Sequence, residues 1–234
     1  MKAGSRWVDL LSGLSAAMII AALYLVFLYA PREATMGDVQ RIFYFHVSSA
    51  WVGFFAFFVT LLAGIGYLRT GERRWDVLGF SSAEIGVTFT AMAVMSGSMW
   101  AKPTWNSWWP WRQEPRLVLV TILLLIYLAY FMLRTFVEEA EQRARFAAVY
   151  GIVAFAGVPI TFMSVRWYQR LHPVVFDRQG AGLTRPMLLT FLFCLLSFTV
   201  LYTTLLLHRT RLANLADEVN ELAQRLHSGW GGRT

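Results

Sequence analysis

Long apolar runs alternate with short polar interruptions along this chain, and that rhythm sets the architecture. Crossing a bilayer as a helix takes roughly 20 mostly apolar residues. Six runs meet or approach that length, predicting spans over Val8–Ala30, Ile42–Leu68, Val77–Met99, Leu117–Val137, Phe146–Val165 and Met187–Leu207. The interruptions leave no room for a soluble domain. The expected fold is an all-α membrane protein, six transmembrane helices in one bundle with short loops. After the last run a different pattern begins. Leu212, Leu215, Val219, Leu222 and Leu226 recur at alternating spacings of three and four, which is the a/d seam of a helix that pairs. The chain thus divides into a transmembrane domain over 1–207 and an amphipathic tail helix over 208–234, lying on the membrane surface or against a partner helix.

Composition supports this division. Charged residues are 15% of the chain, against about 25% in soluble domains. Lys2 and Arg6 before the first run imitate a signal peptide, but that run exceeds the roughly 7–15 residues of an h-region and reads as a retained anchor. The single cysteine, Cys194, falls in the last span. A disulfide framework, a CxxC redox pair and a CxxCH haem-attachment motif are therefore excluded. The net charge of +7 reflects topology before it suggests any nucleic acid. Six spans put both termini on one side. With the termini cytoplasmic, twelve of the 21 lysines and arginines lie inside, as positive-inside placement prefers. The nine left outside are held against that bias, and anionic ligand groups supply a reason.

Parity also sorts the links. Pro31–Arg41, Trp100–Arg116 and Arg166–Pro186 emerge on one face, and they hold five tryptophans between Trp100 and Trp111. So many indoles serve either as an interfacial belt or as a platform for a large flat ligand. The opposite face has RTGERRWD at Arg69–Asp76 and EEAEQRAR at Glu138–Arg145, which read as ordinary solvated turns. Two histidines, His46 and His172, flank the tryptophan-bearing face. Each alone reads as an interfacial residue; together they suit one haem iron, for which neutral imidazoles are common axial ligands. Zinc is the competing metal and needs further ligands, with Asp38, Glu114 and Asp177 as remote choices. Indoles stack on a macrocycle, and arginine's planar fork suits propionates. Arg41 and Arg116 are candidates for that role, against a plain snorkelling reading. Glu84 is an ionisable group within a span, Pro159 should kink the fifth span, and Ser96-Gly97-Ser98 permits close helix contact.

Three stretches carry a resemblance: RIFYFHV at Arg41–Val47, GSMWAKPTWNSWWPW at Gly97–Trp111 and VPITFMSVRWYQRLH at Val158–His172. They are similar to the haem exporter protein C family of the cytochrome c maturation system, membrane haem-handling proteins with a tryptophan-rich "WWD" loop. The resemblance implies a six-span protein of the bacterial inner membrane with its functional loops on the periplasmic face. It implies His46 and His172 as axial ligands of a non-covalent, transiently held haem b. Trp100, Trp105, Trp108, Trp109 and Trp111 are implied as its platform, and Arg41 matches an arginine of the family motif. Implied partners are a periplasmic haem chaperone, the subunits of an ATP-driven transporter, a small membrane subunit and the lipid bilayer, with no bond-making catalysis. One departure stands out. The family loop continues WWxWDxRL, whereas Trp111 is followed by Arg112-Gln113-Glu114-Pro115-Arg116-Leu117. Without a gap, Arg112 replaces the acid. A two-residue insertion puts Glu114 and Arg116 in the acidic and basic places, and is preferred because acid-x-Arg-Leu is kept.

Two other classes are expected to behave differently. A bis-histidine b-type cytochrome commonly buries its haem between spans, whereas both histidines here lie near one surface. A small-solute transporter often shows inverted repeats and broken helices near the midplane, and neither pattern is visible.

Overall fold

Each polar interruption becomes a helix end. The computed structural model describes residues 2–110, 112, 114–167, 176–177 and 180–231. Helix α1 (Lys2–Tyr24) widens into a π-helical turn, Leu25–Tyr29, before Pro31, and a 3-10 turn, Asp38–Gln40, leads into α2 (Arg41–Thr70). Gly71 ends α2 in the left-handed conformation, φ 68°, its N–H on the Tyr67 carbonyl at 2.8 Å. That is the stop a residue without Cβ provides. Next come α3 (Arg73–Trp105), α4 (Pro115–Phe136), α5 (Ala140–Ala154), α6 (Gly157–Trp167) and α7 (Arg185–Gly231). Before α7, Phe176–Asp177 and Gly180–Ala181 pair as antiparallel two-residue strands.

Six segments are long and apolar enough to span a membrane, with α5 and α6 together forming the fifth. The break between them follows from Pro159. A proline lacks the N–H that would bond four residues back and presses its ring on that carbonyl. The carbonyl concerned is that of Phe155, which takes the Val158 N–H instead at 2.9 Å. The expected kink is present, one turn upstream of the proline.

The α2–α3 hairpin is the most extensive pairing in the bundle. Small residues allow its close approach: a Cβ at Gly86 would fall 2.6 Å from the Phe57 ring, and one at Gly53 would fall 2.5 Å from Thr90 Oγ1. Phe57 in turn stacks on Tyr127 of α4, 3.5 Å between centroids and 8° from parallel. On the outside, Ile20, Leu28, Met95, Leu125, Phe136 and Val153 are exposed. An apolar perimeter around a core containing buried Ser82, Thr90 and Thr190 suits a molecule whose solvent is hydrocarbon.

Three sequence expectations change here. The Trp100–Arg116 link is not a loop throughout, because α3 runs on to Trp105. The turn at Arg69–Asp76 is not simply solvated. Asp76 is buried and accepts from both terminal guanidinium nitrogens of Arg134, at 2.5 and 3.1 Å, while Arg73 pairs with it as well. The Glu138–Arg145 turn is shortened, since α5 begins at Ala140. Glu84, the intramembrane acid, is taken up by Arg209 of α7 at 2.6 Å. At the same end Arg73 reaches Asp217 at 3.1 Å. Helix α7 itself passes the 207/208 boundary without a break.

Candidate functional site

The site starts from His46, in the second turn of α2 on the side packed against α3. Its Nδ1 lies 2.9 Å from the Ala93 carbonyl oxygen and 3.2 Å from Ser96 Oγ. A carbonyl only accepts, so Nδ1 carries the proton and the lone pair is on Nε2. Ser96 Oγ donates its own hydrogen to the Met92 carbonyl at 2.7 Å. Gly97 gives the ring its place: a Cβ there would sit 2.9 Å from His46 Cε1. The sequence offered Ser96-Gly97-Ser98 only as a helix-contact motif. The role of Gly97 as the floor under the imidazole, and of Ala93 as its acceptor, was not legible there.

Beyond Gly97, α3 brings the first tryptophans inward. Trp100 is buried, 6% exposed, and Trp105 meets it edge to face at 5.3 Å and 72°. Pro103 lies within these last turns, and Asn106 closes the helix with φ 54°. The chain then folds back, held by Ser98 Oγ donating to the Trp108 carbonyl at 2.8 Å. Trp108 is 58% exposed and Trp109 half-buried. An interfacial belt accounts for Trp108, but not for Trp100, whose indole is inside the protein. Trp111 lies outside the described residues.

The loop returns through α4. Glu114 caps it from a buried position, its N–H on the Pro110 carbonyl at 2.9 Å and its own carbonyl accepting from Leu117 N–H at 3.1 Å. A carboxylate there meets the positive end of the helix dipole. Arg116 follows in the first turn, close enough for its charge to act on both Glu114 and the His46 ring.

His46, Gly97, Trp100, Trp105, Glu114 and Arg116 thus line one cavity of ≈ 40 Å³, to which Thr161 of α6 also contributes. Residues from four helices, far apart in sequence, meet at one point near the tryptophan-bearing end. His172 lies outside the described residues. Arg41 does not line this cavity: it donates to the Val26 and Phe27 carbonyls at 3.0 and 2.5 Å and pairs with Asp38 at 3.2 Å. Its guanidinium caps the π-helical end of α1. Among the described residues, no three of His, Cys, Asp and Glu gather as a metal site, whereas haem needs only an axial nitrogen and flat walls.

Comparison with known proteins follows the same lines. A family model described as "Heme exporter protein C" matches residues 1–225. A protein of that name from Bradyrhizobium diazoefficiens is 34% identical over 198 residues, covering 84% of this chain and 72% of the relative. One from Haemophilus influenzae is 29% identical, over 85% and 82% of the two chains. A "putative cytochrome c biosynthesis ccmC-like mitochondrial protein" of Marchantia polymorpha is 28% identical, over 88% and 87%.

Proposed function

This chain belongs to the haem exporter protein C family, and from that premise we propose how a membrane haem-handling protein of cytochrome c maturation uses the site just described. Haem b, bound non-covalently, is its cargo and is not altered by it. His46 supplies one axial nitrogen through Nε2 and His172 the other. Trp100, Trp105, Trp108, Trp109 and Trp111 form the wall on which the macrocycle rests. Arg116, with the charge of Glu114 nearby, faces a propionate. Arg41 serves the shape of the α1–α2 corner instead.

The observation that carries this reading is the His46–Ala93 hydrogen bond, which fixes both the tautomer and the ring direction beside an indole wall and a cation. Cavity size adds a second argument. A volume of ≈ 40 Å³ has room for about one water, so haem bears on the mouth of this cavity and not within it. Holding the cargo at the mouth suits a protein that must release it. The collecting partner is a haem chaperone on the outer face of a bacterial inner membrane, with subunits of an ATP-driven transporter and a small membrane subunit completing the assembly.

Purified protein is expected to show the absorption of bis-histidine haem. His46→Ala with His172→Ala should lower haem occupancy at least tenfold at unchanged protein yield. Occupancy that survives both substitutions would end this proposal.

A further inference from the structure

The two parts of the fifth span are held very differently. Helix α5 is fixed on two sides. A Cβ at Gly64 of α2 would fall 2.9 Å from the Ala148 carbonyl oxygen, and Tyr150 donates its hydroxyl to the Ile126 carbonyl of α4 at 3.0 Å. Helix α6 packs on α4. At its base, Val158 clusters with Leu123 and Ala154, and a Cβ at Gly157 would fall 2.9 Å from Leu123 Cδ1. Further along, Ile160, Phe162 and Trp167 are 47%, 55% and 61% exposed. Buried on the other side are Thr161 and Ser164, and both hydroxyls bond within α6. Thr161 Oγ1 donates to the Gly157 carbonyl at 2.8 Å, and Ser164 Oγ donates to the Thr161 carbonyl at 2.6 Å. Moving α6 away from α4 breaks neither bond.

The backbone between the two parts is built to bend. Phe155 N–H still bonds four residues back, to the Gly151 carbonyl at 3.2 Å. Ala156 and Val158 bond only three residues back, to the Val153 and Phe155 carbonyls at 3.1 and 2.9 Å. Tightening of this kind inside a long helix often marks a point of movement. Pro159 bars the ordinary bond to Phe155, since it has no N–H to give. Thr161 stands one turn beyond this break and lines the same cavity as His46.

We propose that α6 pivots about Phe155–Gly157 while α5 stays fixed, carrying Thr161 out of the wall of the His46 cavity and so setting how fast the site releases its cargo. The base of α6, pressed on Leu123, is the bearing. The α2–α3 hairpin, with His46 and Gly97, stays in place. In the sequence His172 follows Trp167 by five residues, so the second proposed ligand comes after the pivot and the first does not. The release role rests on the haem reading above; the pivot itself does not.

The test uses the full-length protein in lipid nanodiscs, in a Cys194→Ser background, with spin labels on cysteine pairs at exposed positions. The pair at Phe162 and Met95 reports α6 against α3, and the pair at Val153 and Met95 reports α5. Without haem, the first distance distribution is expected to be at least twice as wide as the second. Pro159→Ala returns an N–H to the Phe155 carbonyl and should narrow the first to match the second. The same variant should keep its haem occupancy and lose haem to excess apomyoglobin at least fivefold more slowly. Equal widths, or a wide distribution that survives Pro159→Ala, overturn the pivot. Narrowing with haem loss unchanged overturns its role in release. A parent protein that takes up no haem refutes the haem reading instead, and the label distances then decide the pivot. The comparison of widths in the parent sequence does not depend on how Pro159→Ala folds.

Discussion

At the scale of single residues, the site depends on groups that have no side-chain chemistry of their own. Gly97 matters through what it lacks. Gly97→Ala sets a methyl group 2.9 Å from His46 Cε1, and overpacking of this kind typically costs about 1–3 kcal/mol. The expected result is a shifted haem spectrum and several-fold lower occupancy with unchanged helix content by circular dichroism. An unmoved spectrum would show that the imidazole does not rest on α3. Asp76 makes the opposite kind of prediction. Removing one partner of a buried ion pair costs about 3–5 kcal/mol, so Asp76→Ala should lower the unfolding midpoint in detergent, with haem spectra of the folded fraction unchanged. Asp76→Leu with Arg134→Met should recover most of the loss. Neither partner was legible in the sequence. The acceptor of His46 is a backbone carbonyl 47 positions away, and the counter-ion of Asp76 lies 58 positions away. Hydropathy has no signal for such pairings, whereas the histidine, the tryptophans and the acid-x-arginine step could be picked out by type and spacing.

At the scale of elements, what was legible is what depends on length. The six spans and the kink before Pro159 follow from run lengths and one missing N–H. The overrun of α3 does not, because Pro103 and the dense tryptophans look like loop residues, although a proline costs a helix only local bonds and the indoles find cover against α4. The π-turn at Leu25–Tyr29 was equally invisible, and Arg41 explains its persistence. The last carbonyls of a helix have no donor within it, and Arg41 supplies hydrogens to two of them. Arg41→Gln removes the charge and most of that reach. Faster amide exchange confined to residues 25–29 is expected, measured by mass spectrometry against the parent protein. Uniform exchange change across all helices would instead make Arg41 a general stability residue.

At the scale of the whole molecule, the two ends have different tasks. One carries the indole-walled cavity; the other carries the Asp76 and Glu84 ion pairs and the tail. Helix parity places these ends on opposite sides of the bilayer. In a Cys194→Ser background, a single cysteine at Asn106 should react with an impermeant maleimide added outside intact cells, and one at Asn214 only after permeabilisation. Labelling of both from outside would contradict the assigned orientation.

The unbroken course of α7 also has a mechanical side. A rod without a hinge cannot absorb a push at its free end by bending at the water boundary, so any load on the tail tilts the whole last span. The other end of that span sets Phe191 against Phe43 at 5.1 Å, one turn from His46. Torque applied on one side of the bilayer thus arrives at the very turn of α2 that holds the imidazole on the other.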